Sequence, residues 1–153
     1  MDVLQLIKEE HIEIINLIDK VLTEQLPIPR TAQIDQLNSL ITQHFDLESN
    51  YLYLECEGYA DASFFETSLG NQRYVITLIR KITETIENNQ SCLPVEELTR
   101  LKHIISTHFL LEEEVLLPTM RRRMSTEIRE ELADVFLDIR ETSTHFVAQA
   151  AIG

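Results

Sequence analysis

The sequence predicts an all-α protein: an up-down-up-down four-helix bundle, built from two repeated helical hairpins, with a fifth C-terminal helix. Three observations carry this. Apolar residues recur at three- and four-residue spacing almost throughout the 153 residues. Helix breakers are scarce, with three glycines and four prolines, while Leu, Ile and Glu abound. The second half of the chain also repeats the first.

A first helix over about 2–25 turns Leu4, Ile7, Ile14, Ile15, Ile18, Val21 and Leu22 inward. "LPIPR" at 26–30 stops it, and Thr31 is the expected N-cap of the next. That second helix, about 32–57, presents Ile34, Leu37, Leu40, Ile41, Leu47, Tyr51 and Leu52, and Gly58 ends it. A third, about 62–88, presents Phe65, Leu69, Val75, Ile76, Ile79, Ile82 and Ile86. After the loop "NNQSCLP" at 88–94, Pro94 with Glu96 and Glu97 opens a fourth helix, with Leu101, Ile104, Ile105, Leu111, Val115 and Leu116 inward. Pro118 bends this helix rather than ending it. Ser125 caps a fifth helix over about 126–148, with Ile128, Leu132, Val135, Phe136, Ile139 and Phe146 inward. That helix covers a side of the bundle or supplies a homodimer contact. Residues 1–122 form the bundle and 125–150 the added helix of one domain spanning 1–153.

The repeat has a definite register. A shift of 64 residues lays "LITQHFDLESNYL" (40–52) on "IISTHFLLEEEVL" (104–116), so that His44 meets His108, Phe45 meets Phe109 and Glu48 meets Glu112. A shift of 61 lays "IINLIDKV" (14–21) on "VITLIRKI" (75–82).

The net charge of −13 excludes nucleic acid as a natural partner and disfavours an anionic membrane surface. The basic run "MRRRM" at 120–124 reads as cations at a helix C-terminus. No long apolar run marks a signal peptide or a membrane span. Cys56 and Cys92 read as free thiols, which with the absent leader places the protein in a reducing cytoplasm.

Each hairpin contributes one His-x-x-x-Glu on an apolar helix face: His44 and Glu48, then His108 and Glu112. His11 adds a third inward histidine between Ile7 and Ile14. Burying an ionised carboxylate is costly unless a cation meets it. One such pair on a surface helix would be a weak ion pair, and a lone core histidine a packing residue. Two pairs at repeat-related positions, with a third histidine, instead make a metal site, and imidazole with carboxylate suits iron or manganese. Glu10 and Glu113 adjoin these residues and are either partners orienting the imidazoles or part of a solvated face. His103 and His145 fall off the ligand face. Tyr51 is expected in the core with its hydroxyl hydrogen-bonded.

"EEH" at 9–11, "HFDLES" at 44–49 and "HFLLEEEVLLP" at 108–118 resemble the hemerythrin-like (HHE cation-binding) family, over roughly residues 3–120. The family pattern runs His, His-x-x-x-Glu, His, then His-x-x-x-Glu-Glu with an apolar tail. The resemblance implies a non-haem di-iron centre: His11 and His44 on one iron, His108 on the other, and Glu48 and Glu112 bridging. It implies dioxygen, nitric oxide or peroxide as ligand, in sensing, stress response or iron handling. Gln72 departs from the pattern, because the 61-residue shift sets it where the family has histidine. The second iron is then weakly held, giving a mononuclear site. Alternatively it keeps an open position beside Gln72, or another side chain such as Glu113 or Tyr74 steps in. Two other classes of function stay open: an iron-dependent oxidase or peroxidase, with Tyr51 and Tyr53 beside the iron, and a metal-free interaction module.

Overall fold

A computed structural model describes residues 1–23, 30–89 and 93–152; of Arg30 and 143–152 only the backbone is described. Every regular element among them is helical. Helix α1 spans Val3–Thr23, and Asp2 caps it by accepting the Leu4 amide at 2.9 Å. Helix α2 spans Arg30–Leu47 and continues through a π-helical turn, Glu48–Leu52, into Tyr53–Glu55. It already contains Thr31, which is therefore not its N-cap. Gly58, at φ 86°, turns the chain after it. Helix α3 spans Ala62–Asn88, its N-cap Asp61 accepting from the Ser63 amide.

Helix α4 spans Val95–Leu111 and continues through a second π turn, Glu112–Leu116, into Leu117–Arg123. Pro118 thus falls in the first turn of the resumed α-helix, where a missing N–H is tolerated. Helix α5 spans Thr126–Ile152, and the Ser125 hydroxyl accepts the Ile128 amide at 3.3 Å, as its sequence position suggests. Residues 26–29 of the "LPIPR" stop, Cys92, and the side chains of His145 and Phe146 lie outside the described residues.

Helices α1, α2, α3 and α4 pack as a closed ring in which each touches the next, and α5 lies against α1. Two apolar clusters fill the ring. One holds Leu4, Ile7, Leu52, Phe64, Leu116 and Met120, closed by Leu132, Ala133 and Phe136 of α5. The other holds Ile14, Ile18, Ile41, Val75, Ile79, Ile105 and Phe109. Each fully buried side chain of this size stabilises the fold by roughly 1.5–3 kcal/mol. Between the clusters lies a buried polar layer containing His11, His44, Glu48, Gln72, His108 and Glu112.

The inward faces differ from the expected ones at the two π turns and at a few positions of α3 and α5. A π turn takes one extra residue, so the inward positions after Glu48 move from i+3 and i+4 to i+4 and i+5. Tyr51 is accordingly exposed and Tyr53 buried. The same slip exposes Val115 and buries Leu117. In α3 it is Phe64, Ser68 and Gln72 that turn inward, with Phe65 and Leu69 half-buried beside them. Ile128 of α5 is exposed, while Leu132, Ala133 and Phe136 are the α5 residues buried in the core. No helix among the described residues is long and apolar enough to cross a membrane.

Cys56 is fully buried, and burial, with the Glu55 and Glu112 charges, pushes its thiol up to about 12. In a Cys92→Ser background the folded protein should therefore resist thiol reagents at pH 8. Reaction should become complete once denaturant is added, and a fast native-state reaction would contradict the burial.

Candidate metal centre

His11 comes from α1, His44 and Glu48 from α2, Gln72 from α3, and His108 and Glu112 from α4. The helical ring carries each to one layer because each lies on its helix's apolar stripe, one turn from Ile7, Ile41, Leu52, Val75, Ile105 or Leu116 on the interior face. Both glutamates open a π turn, a local geometry that recurs at functional sites.

His11, His44, Glu48 and Glu112 each offer one ligating atom, and these atoms all lie within 4.8 Å of one another. Their inward atoms are the chemically telling ones. His11 Nε2, His44 Nε2, Glu48 Oε1 and Glu112 Oε1 are buried and make no hydrogen bond of ordinary geometry, although His44 Nε2 touches Glu48 Oε1. Buried polar atoms are nearly always satisfied, so four orphans converging on one point call for a cation. Their donor types, two imidazole nitrogens and two carboxylate oxygens, are those that hold divalent and trivalent transition metals. His108 Nε2 joins the same layer, 3.2 Å from Glu112 Oε1 and 3.5 Å from Glu48 Oε2.

The outer nitrogens are held in place. Glu113 Oε1 lies 3.1 Å from His11 Nδ1, and Glu10 Oε2 lies 2.9 Å from His44 Nδ1. A carboxylate on Nδ1 fixes the proton there and aims Nε2 inward, which is the usual arrangement behind metal-bound histidines. Of the two roles open to Glu10 and Glu113, the orienting one is what the geometry shows. Glu10 is itself buried and its other oxygen meets Arg140 of α5 at 3.4 Å. Phe109 stacks on the His11 ring at 3.8 Å, and Phe45 meets the His108 ring edge-on, so the repeat-related phenylalanines pack the imidazoles from either side.

Without a metal the layer sorts its own charge. Burial, with His44 beside it, lowers His11 to about 4 and keeps it neutral. Burial opposes a cation on His44 as well, but Glu48 and Glu10 outweigh it and raise the group well above its ordinary value. His108 is raised for the same reason, by Glu48 and Glu112 against burial. Glu48 is held well below the usual carboxylate range, because His44 and His108 overcome its burial. Glu112 goes the other way, raised by burial and by the Glu48 charge.

Gln72 and Tyr53 complete the layer. Gln72 Nε2 donates to Glu48 Oε2 at 2.8 Å, and its Oε1 accepts from Ser49 Oγ at 2.8 Å. A carboxylate only accepts, so the amide's NH₂ end, not its carbonyl, faces the site. The single Tyr53 O–H is shared between Glu48 Oε2, 3.0 Å from Oη, and Glu112 Oε2, 3.1 Å from it. Sequence periodicity favoured Tyr51 for an interior position, and the π turn substitutes Tyr53. The signal in the chain was the apolar triplet Tyr51-Leu52-Tyr53, whose register an α-helical period misreads. Tyr74 and His103 are exposed and take no part, while Glu113 lies on the outer side of His11.

A groove of about 270 Å³ between α1 and α4 reaches His11 and Phe109, walled by Ile12, Ile15 and Leu110 with Glu113 at its edge. No curated protein and no solved structure matches the chain. Residues 2–120, which contain all five histidine and glutamate donors of the layer and the bundle that carries them, match the hemerythrin HHE cation binding domain. The chain therefore belongs to the hemerythrin HHE cation-binding family.

Proposed function

We propose that this chain is a non-haem iron protein, in an up-down-up-down bundle, whose centre binds dioxygen, nitric oxide or peroxide as a sensor or stress-response element in the cytoplasm. His11 and His44 hold the iron through Nε2, Glu48 and Glu112 through carboxylate oxygens, and His108 belongs to the same centre. The observation that carries this reading is the set of four buried, hydrogen-bond-free nitrogen and oxygen atoms facing one point. Family membership supports iron as the ion. The apolar groove that ends at His11 supports a small neutral ligand, since such a path admits diatomics while limiting water. When bound, iron supplies a Lewis-acidic, redox-active position for that ligand. The protein's share is to orient the imidazoles through Glu10 and Glu113 and to exclude bulk water with the two apolar clusters.

The test is anaerobic loading with Fe(II), gel filtration, metal analysis, and titration with nitric oxide followed by absorption and electron paramagnetic resonance. Iron retained through the column with a nitric-oxide-dependent spectrum supports the proposal. Peroxide consumed over many turnovers would move the reading to a peroxidase. Protein that keeps no iron, and whose Tm ignores both iron and chelator, would leave only an interaction module.

A further inference from the structure

We propose that Tyr53 is itself a metal ligand: its phenol oxygen joins Glu48 Oε2, Glu112 Oε2 and His108 Nε2 to form a second metal position beside the first. This rests on the iron-binding reading and names the donor that Gln72 fails to supply.

The layer has two sides. On one, His11 and His44 face the Oε1 atoms of both glutamates. On the other, Tyr53 Oη stands 3.0 Å from Glu48 Oε2 and 3.1 Å from Glu112 Oε2, and His108 Nε2 stands 3.5 Å from Glu48 Oε2 and 3.2 Å from Glu112 Oε1, the oxygen that also faces the first side. Donors bound at right angles around one ion at about 2.1 Å lie roughly 3 Å apart. The oxygen spacing is already that of neighbouring ligands.

Repeat symmetry shows why the tyrosine is needed. The 61-residue shift pairs His11 with Gln72, so the second side lacks the histidine that the first side has. Gln72 cannot replace it without turning its amide over and giving up its bond to Glu48, because a carboxylate only accepts. The 64-residue shift pairs Tyr53 with Leu117, which has no donor. Both residues are brought inward by the π turns, and only Tyr53 brings an oxygen. The asymmetry in α3 is thus answered by an opposite asymmetry in α2, and Gln72 Nε2, 3.5 Å from Tyr53 Oη, steadies the phenol.

On binding, the phenol O–H bond breaks, an oxygen–metal bond forms from the oxygen's electron pair, and the proton leaves to solvent. No electron is transferred when the ion supplied is ferric. A bound cation makes the deprotonated form the stable one.

The experiment loads full-length apo-protein with ferric citrate, removes the excess, and records metal content, visible absorption and resonance Raman spectra. It is run on wild type, Tyr53→Phe, Tyr51→Phe as the exposed control, and Tyr53→Phe/Gln72→His. The expected wild type holds close to two irons per chain and shows a phenolate-to-iron band with tyrosinate vibrations. Tyr53→Phe should lose that band and one iron, and Tyr51→Phe should lose neither. The double variant should regain the second iron without the band. Iron bound to wild type with no tyrosinate vibration, or a band that survives Tyr53→Phe, would overturn the assignment while leaving the iron-binding reading intact. The wild-type Raman spectrum decides this even where a variant fails to fold. Wild type that binds no iron would overturn both.

Discussion

Glu112→Gln should leave the metal-free protein about as stable as wild type yet cut iron affinity by at least ~100-fold, a loss beyond that of an outer partner. Glu48→Gln should damage both properties. The two residues occupy equivalent positions of the repeat and are equally buried, so sequence alone gives no reason to expect different behaviour. The difference comes from charge. Burial and the neighbouring Glu48 raise Glu112 well above the usual carboxylate range, so without metal it holds its proton far more tightly than Glu48 does. An amide has nearly the same shape, and its NH₂ can point to the neutral His11 Nε2, which lies 3.5 Å from Glu112 Oε1. Glu48 is ionised and pairs with His44 and His108. Removing its charge takes away the carboxylate that His44 and His108 share, leaving His44 with Glu10 and His108 with Glu112 alone, and breaking such a buried pair costs about 3–5 kcal/mol.

Iron needs both carboxylates ionised, so its binding displaces the Glu112 proton, and affinity should fall as pH falls. Urea unfolding of the metal-free variants, with chelator competition for iron, separates the two effects. Equal destabilisation by both substitutions would refute this division of charge.

The fold and the site were legible in the sequence to different depths. Helix α3 was expected over 62–88 and spans Ala62–Asn88, because an unbroken 3.6-residue apolar period fixes both ends once Asp61 and the 88–94 loop flank it. The layer residues could be named because His11, His44, Glu48, His108 and Glu112 break an otherwise apolar stripe at repeat-related positions. The π turns were not legible. Nothing in Glu48–Leu52 or Glu112–Leu116 marks an extra residue, since an inserted turn changes the register of the pattern and not its composition. That one-residue slip misassigned Tyr51 and Val115 and left Tyr53 named only beside Tyr51 in the oxidase alternative. Gln72 was placed in the layer by the repeat, but which end of its amide faces inward depends on the Glu48 carboxylate it meets, a contact between two helices that no spacing encodes.

Glu10→Gln should weaken iron binding by about 10–100-fold, and Arg140→Met should weaken it by about 10-fold, with no contact between either residue and the metal position. Glu10 reaches His44 Nδ1 at 2.9 Å and is buried, so its charge needs a cation behind it. Arg140 supplies one, at 3.4 Å from Glu10 Oε1, while its other nitrogen meets Glu13 at 3.0 Å. The chain of contacts runs from α5 through Arg140 and Glu10 to His44 Nε2. Helix α5 lies beyond the residues 2–120 that match the family, so this part of the ligand geometry is set by a segment the shared bundle does not contain. His11 offers the internal comparison. Its partner Glu113 is one-third exposed and hydrated, so Glu113→Gln should cost less than Glu10→Gln although both carboxylates hold an Nδ1. Competition with a coloured chelator gives the affinities, and the histidine ¹⁵N shifts show whether His44 keeps its proton on Nδ1. Arg140→Met binding iron within twofold of wild type would mean that α5 supports the bundle's end and has no hold on the metal.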